Sequence, residues 1–323
     1  MKDFLFVINP NANTRKLEKT YPTLLSMAKK ILGSTPDYVL TKGRMDAYYI
    51  AKDNIGNYDA IVACGGDGTA NEVANALIGK KTALGLIPAG SANDHHKTHG
   101  IPFNWPQSLM VLKQGFVVHS SVGYGEGDTK RYFLEMADAG FSGFIAKAAH
   151  KEAKWLKGEP KYNYLILKYL FKFRNIKTKV ILDEKRSSPF FPMSNIGISL
   201  TNQIVGFPVL PGNNPFKRDF GIFIAYGMSP ISLVNALLHT FDGSHLKMPG
   251  IIVERAKRVE VETEEGIPWE LEGEIFSQYS TKLKFVHVPK SLWVVASYPF
   301  YKNRLERENI EYEWREKELK TLV

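Results

Sequence analysis

Among 323 residues there is one cysteine, Cys64. A single thiol excludes an intrachain disulfide framework and fits a reducing compartment, with Cys64 itself expected as a small buried residue. No apolar run approaches the length of a membrane-spanning helix, and Met1-Lys2-Asp3 passes into a strand-like run without the features of a secretory leader. Internal repeats, low-complexity tracts and recognisable nucleic-acid-binding modules are also missing. A cytoplasmic protein that binds no nucleic acid is expected. Acidic side chains are in the minority, with 33 Asp and Glu against 42 Lys and Arg and a formal net charge of +9. That excess suits an acidic ligand or an anionic membrane surface.

The chain does carry Cys64-Gly65-Gly66-Asp67-Gly68-Thr69-Ala70-Asn71-Glu72-Val73. Asp59 to Cys64 reads as a buried strand, and Ala70, Val73, Ala74 and Leu77 recur at helical spacing until Gly79 ends the pattern. Glycines between strand and helix let backbone approach a ligand, and the helix start offers N–H groups to an anion. Phosphate fits such a turn. Asp67 alone would repel phosphate, so a divalent cation between carboxylate and phosphate oxygens is implied, with Mg2+ the natural candidate. Two more strand-like runs end in polar turns: Phe4 to Ile8 before Asn9-Pro10-Asn11-Ala12-Asn13, and Ala83 to Ile87 before Pro88-Ala89-Gly90-Ser91-Ala92-Asn93-Asp94. In an open parallel sheet, loops at the carboxyl ends of strands converge on one crevice.

Residues 1 to about 125 alternate strand-like and helical patterns, including Tyr38 to Thr41 and a helix near Ala47 to Ala51. From Lys179 onward strand-like runs dominate, at Ile196 to Leu200, Gly221 to Ala225, Val259 to Val261, Leu283 to Val286 and Leu292 to Val295. Between these regions, Tyr162, Leu165, Ile166, Tyr169, Leu170 and Phe173 share one helical face, with Lys168 and Lys172 on another. Packing on a sheet is the favoured reading of that face, and contact with a lipid surface is the alternative. The charge-interleaved stretch from Tyr301 to Leu319 reads as an exposed helix.

Ile8-Asn9-Pro10, Gly65 to Val73 with Asn75, Ile87-Pro88 through Asp94, Gly100-Ile101-Pro102, Gly140-Phe141, Asn202, Gly243-Ser244-His245, Pro249-Gly250 and Glu272-Gly273-Glu274 occur in this order. In these motifs the chain resembles the diacylglycerol kinase catalytic-domain family, over roughly residues 1–300. The glycine-rich element alone also occurs in NAD kinases and phosphofructokinases. The resemblance implies an NAD kinase/diacylglycerol kinase-like α/β nucleotide-binding domain over 1–125, rejoined by 299–323. It also implies an all-β sandwich second domain over 126–298 that takes a lipid substrate, with the two domains flanking a cleft. The implied reaction transfers the γ-phosphoryl group of ATP, with Mg2+, to a lipid hydroxyl, with diacylglycerol as the leading acceptor. A kinase for a soluble acceptor such as NAD and a noncatalytic lipid-binding protein are the alternatives. Peripheral contact with the inner face of the membrane is expected, and a homodimer stays open.

By the same resemblance, Asn9, Pro10, Asn11, Ala12, Asn13, Thr41, Gly65, Gly66, Asp67, Gly68, Thr69, Asn71, Glu72 and Ser91 surround the nucleotide. Asp67 and Asp94 serve the metal, and Asp219 stands where some bacterial members hold a structural metal. Glu274 is the first choice for the base and Glu272, where the family usually has Asp, the second. His95, His96 and His99 also depart from the family pattern and are expected as a polar, partly cationic wall. A Zn2+ pair at His95 and His99 is the lesser reading.

Overall fold

Four short apolar runs, each followed by a turn and a helix, dictate the first part of the chain. The computed structural model describes residues 3–90, 93–152, 156, 159–202, 208–272 and 279–308. Ser91, Gly273 and Glu274 lie outside the described residues, as do 309–319 of the expected terminal helix. The chain divides into two units, Met1–Ser121 with Pro289–Val323, and Val122–Val288.

In the first unit, β1 (Phe4–Ile8), α1 (Ala12–Leu32), β2 (Asp37–Leu40), α2 (Asp46–Asp53), β3 (Ala60–Gly65), α3 (Asp67–Leu77) and β4 (Ala83–Pro88) alternate. Then come α4 (Asp94–Thr98), α5 (Trp105–Gln114) and the start of β5 (Val117–Glu126). The strands β1, β3 and β4 are buried at every position, as expected of a parallel sheet covered on both faces. Their pairing is parallel, with β1 between β2 and β3, and β3 between β1 and β4.

Register decides where the loops fall. Ile8 is level with Leu40 on one side and Cys64 on the other, and Cys64 with Ile87. The turns after β1, β2, β3 and β4 therefore begin at one level, at the carboxyl edge of the sheet. Backbone bonds tie them together: Asn9 N–H donates to the Cys64 carbonyl at 3.0 Å, Thr41 N–H to Ile8 at 2.9 Å, and Ala89 N–H to Gly65 at 2.9 Å.

The second unit takes up the rest of β5, then β6 (Lys130–Phe133), β7 (Met136–Gly140), α6 (Phe141–Lys151), α7 (Glu159–Tyr169), β8 (Ile176–Leu182) and β9 (Arg186–Ser187). It continues with β10 (Phe191–Ser199), β11 (Phe220–Tyr226), α8 (Pro230–Leu238), β12 (Ile251–Ala256), β13 (Arg258–Ile267), β14 (Trp269–Leu271) and the first part of β15 (Ser280–Val295). The strand β10 changes partner along its length, pairing with β8 through Phe191 to Met193 and with β7 through Asn195 to Ser199, across an irregularity at Met193/Asn195. That switch joins β7, and through it β14, to the strands of the second unit. Ala137, Ala139, Trp269 and Leu271 share its core with Ile196, Ile198, Val259, Val261 and Phe285.

The expected runs 283–286 and 292–295 are one strand, β15. Pro289 and a left-handed Lys290 (φ 47°) interrupt its regularity, and the division between units falls at that point. The end of β15 lies parallel to β4, with Val294 level with Leu84. The last described helix, α9 (Tyr298–Glu308), does not begin as the exposed helix expected. Tyr301 is 1% exposed and its ring lies 5.9 Å from that of Phe116. Phe300 fills the space where a side chain at Gly100 would sit.

Candidate active site

At the end of β3 the chain turns through Gly65 and Gly66 into α3, with Asp67 as the first helical residue. No side chain caps this helix, so its leading N–H groups and positive dipole are available to an anion. The glycines are required by contact. A Cβ on Gly65 would lie 2.5 Å from Thr69 Oγ1, and one on Gly66 3.0 Å from the Gly90 Cα. A Cβ on Gly90 would overlap the Gly66 Cα outright. The turns after β3 and β4 thus touch glycine to glycine.

Side chains complete the cradle. Asn9 Nδ2 donates to Thr69 Oγ1 at 3.0 Å, and Asn9 Oδ1 accepts the Asn11 N–H at 3.0 Å, which links the turn after β1 to α3. Asn93 clips the turn after β4 by accepting the Gly90 N–H at 2.8 Å and donating to the Gly90 carbonyl at 2.9 Å. Trp105 Nε1 holds the same turn through the Pro88 carbonyl at 2.8 Å. Thr41 is buried at the same edge, and Asn13, in the first turn of α1, takes a left-handed backbone (φ 49°).

Two residues expected at the nucleotide have partners within the protein. Glu72 Oε1 accepts the N–H of Met45, a left-handed residue (φ 64°) that starts α2, at 2.9 Å. Asn71 Oδ1 accepts from Asn75 Nδ2, one turn along the helix, at 3.0 Å. Asn71 is buried and Glu72 half-buried, and helix-to-helix and intrahelical bonds use these polar atoms.

The acids differ in what they can offer a cation. Asp67 Oδ1 accepts the backbone N–H of His95 at 3.3 Å, and a ring nitrogen of His95 lies within 4.8 Å of the Asp67 carboxylate. Asp94 is paired with Lys97 Nζ at 2.6 Å across one turn of α4. Asp219, expected at a further metal, is instead clasped by the Arg255 guanidinium through Nε at 2.8 Å and through Nη2. A guanidinium supplies the positive charge there.

The expected histidine wall is buried, and its middle member is neutral. His95, His96 and His99 are at most 5% exposed, and burial together with its two histidine neighbours pulls His96 down to about 3. A neutral imidazole packed in the fold is the result. His99 Nδ1 is bonded to the His95 carbonyl at 3.0 Å.

In the second unit, Glu272 follows β14 with a left-handed backbone (φ 55°). Its N–H donates to the Met136 carbonyl at 3.1 Å. Its Oε1 accepts two backbone N–H groups, from Leu134 and, at 2.8 Å, from Glu135. This carboxylate clamps the turn that leads into Gly273-Glu274 onto the start of β7.

Asp138 was missed by sequence reasoning, although an acid inside Met136-Ala137-Asp138-Ala139 is the available signal. It is 2% exposed, faces Glu270 across the β7–β14 pair and accepts from Asn195 Nδ2 at 3.3 Å. Burial pushes its carboxyl up to about 7, against the opposing hydrogen bonds of Asn195 and Ser142. A raised acid binds its proton more tightly folded than unfolded. Its stabilising share is therefore complete below the unfolded value near 3.8 and is lost as pH rises to about 7. Asp138→Asn is expected to gain on the wild type by about 1.4 kcal/mol per pH unit across that window, then run parallel above it. Urea unfolding at pH 4.5, 6 and 7.5 reads the difference. Parallel curves throughout would show that Asp138 does not titrate this way.

An α/β unit whose strand ends gather glycine turns, an uncapped helix start and a carboxylate has the build of a phosphate-binding enzyme. The diacylglycerol kinase catalytic domain model matches residues 3–124, and the YegS C-terminal NAD kinase beta sandwich-like domain model matches residues 136–296. A diacylglycerol kinase of Staphylococcus carnosus is 25% identical over 276 residues, covering 84% of this chain and 88% of its own. One from Staphylococcus aureus is 24% identical over 299 residues, covering 90% and 91%. A putative diacylglycerol kinase from Bacillus anthracis has the same fold at TM-score 0.74 and 19% identity, over 92% of this chain and 98% of that one. An NAD kinase from Archaeoglobus fulgidus, in complex with ATP, aligns at TM-score 0.52 and 14% identity over 93% and 96%. The chain belongs to the diacylglycerol kinase catalytic-domain family, which makes it a phosphotransferase.

Proposed function

We propose that the protein transfers the γ-phosphoryl group of ATP to the hydroxyl of a membrane lipid, with diacylglycerol as the acceptor. The observation that carries this is the phosphate cradle at the carboxyl edge of the first unit's sheet, in a chain whose two halves match the two domains of that family. Phosphoryl transfer asks little covalent chemistry of a protein and much positioning, which is what a rigid, cross-bonded cradle supplies.

The backbone of Gly65, Gly66, Gly68 and Thr69, with Asn9, Asn11, Asn13, Thr41 and Ser91 nearby, would hold the nucleotide phosphates. Asp67 would hold a divalent cation directly or through water, and a carboxylate oxygen suits Mg2+. When bound, the cation neutralises charge on the phosphate oxygens. Glu274 would take the proton of the lipid hydroxyl as its oxygen bonds to the γ-phosphorus and the bond to ADP breaks. Glu272 holds the chain just before Gly273 onto Leu134, Glu135 and Met136.

Contact with the bilayer is assigned to α7 and the turn after it. The stripe of Leu165, Ile166 and Tyr169 packs inward as expected, but against α6 residues Phe144, Ile145 and Ala149 rather than a sheet. A second apolar stripe, Tyr164, Leu167 and Phe171, faces outward at 41, 68 and 75% exposure. Lys168 flanks it, with Nζ 2.6 Å from Glu152 Oε2, and Lys172 lies over the Tyr169 ring. Exposed apolar tips beside lysines suit an anionic membrane surface.

Radiolabelled phosphate from ATP, offered to diacylglycerol, sphingosine, NAD and fructose 6-phosphate, tests the acceptor. Diacylglycerol is expected to be labelled and NAD not; labelling of NAD alone would replace the lipid reading. In the same assay, Leu167→Asp with Phe171→Asp should slow transfer on anionic vesicles at least about tenfold and leave detergent-dispersed diacylglycerol unaffected. Equal rates on vesicles would remove α7 as the contact.

No helix of the described residues is long and apolar enough to cross a membrane.

A further inference from the structure

The cradle contains one group that ordinary magnesium chemistry does not call for. His95 follows Asp94 at the start of α4, is 1% exposed, and presents a ring nitrogen within 4.8 Å of the Asp67 carboxylate. Its own backbone N–H is bonded to that carboxylate, and its carbonyl is held by His99 Nδ1 at 3.0 Å. Bonds to the backbone on either side of its Cα therefore hold the residue beside Asp67. An ion bonded at about 2.1 Å to each of two ligands nearly spans such a separation, and a small side-chain rotation closes the rest.

We propose that His95 is the second protein ligand, beside Asp67, of the cation used in phosphoryl transfer, and that this nitrogen-plus-oxygen pair makes the site prefer Mn2+ to Mg2+. The proposal rests on the reading of Asp67 as the cation's anchor. Its chemistry is that of ligand hardness. Mg2+ takes oxygen ligands and gives up its water reluctantly, whereas Mn2+ accepts carboxylate, phosphate and imidazole together. With a carboxylate alone the two ions compete on similar terms, and one imidazole tips the balance. Water and phosphate oxygens fill the remaining positions, as they do wherever a cation bridges a protein and a nucleotide.

The test reads metal binding directly. Protein labelled with 15N in its histidines is titrated with Mn2+ in the presence of a non-hydrolysable ATP analogue and followed by electron paramagnetic resonance, with Mg2+ as competitor. The expected result is a 15N coupling to the bound Mn2+ in the wild type, absent in His95→Asn. That variant should lose on the order of tenfold in Mn2+ affinity while Mg2+ affinity stays within about twofold. Retained Mg2+ binding also shows that the variant is folded. His95→Leu, which restores apolar bulk at a buried position, should behave in the same way. No 15N coupling in the wild type, or an unchanged Mn2+ to Mg2+ ratio in both variants, overturns the role of His95. Asp67→Asn separates that failure from a deeper one: full retention of both cations there would remove Asp67 as anchor and His95 with it.

Discussion

Asp67→Asn is expected to lower kcat roughly a thousandfold at saturating ATP and Mg2+, with a much smaller change in thermal stability. The size follows from what the carboxylate is placed to do. Asp67 stands at the first position of α3, a helix start without a side-chain cap that would draw phosphate oxygens in. A bare carboxylate among those oxygens would weaken nucleotide binding, so on the proposed function its value would lie in holding a cation that supplies positive charge to the transferring group. Losing that charge stabilisation removes about 4 kcal/mol from the transition state, which is the thousandfold. The fold feels less. Asn keeps an oxygen to accept the His95 N–H, now 3.3 Å away, and forfeits only a favourable charge at a helix start, about 0.3–1 kcal/mol. Steady-state assays across Mg2+ concentration, paired with melting curves, check both halves. Wild-type Mg2+ dependence in Asp67→Asn would end the assignment of this residue as metal anchor.

Most of the cradle was legible because its signals are local. Phe4 to Ile8, Ala60 to Gly65 and Ala83 to Pro88 are buried at every position, and a run of apolar residues ending in glycine, proline or asparagine shows that directly. Parallel pairing then places their ends level with no further information. What local pattern could not show is which atoms are already used. Glu72 and Asp219 read as open acids, and each is occupied by a partner 27 or 36 residues away in the sequence, Met45 N–H and the Arg255 guanidinium. The histidines read as a partly cationic wall because three of them within five residues look exposed; all three are buried, and burial pulls His96 down to about 3, which leaves its imidazole neutral. The helix α7 was read from its stronger stripe, which does pack inward, and the outward stripe of Tyr164, Leu167 and Phe171 escaped notice because lysines interrupt it.

The two acids of Glu272-Gly273-Glu274 are expected to part company under the same conservative change. Glu274→Gln should cost about a thousandfold in kcat and flatten the acidic limb of the pH–rate profile, since an amide cannot take the proton of the lipid hydroxyl. Glu272→Gln should keep most of the rate. The Glu272 carboxylate is spent on the backbone N–H groups of Leu134 and Glu135, more than 130 residues earlier in the chain, and a glutamine oxygen accepts from both, though without the added strength of a charged acceptor. The clamp matters because residue 272 sits at φ 55°, a conformation that side-chain-bearing residues rarely hold unless their surroundings enforce it. Glu272→Ala removes the enforcement, leaving two N–H groups without their acceptor and the turn free to relax. A loss of roughly ten- to a hundredfold in kcat with little change in KM for ATP is expected there, because the nucleotide cradle belongs to other strands. A wild-type pH profile in Glu272→Gln alongside the loss in Glu272→Ala is the signature of a positioning residue. Collapse of Glu272→Gln with normal turnover in Glu274→Gln would reverse the two roles.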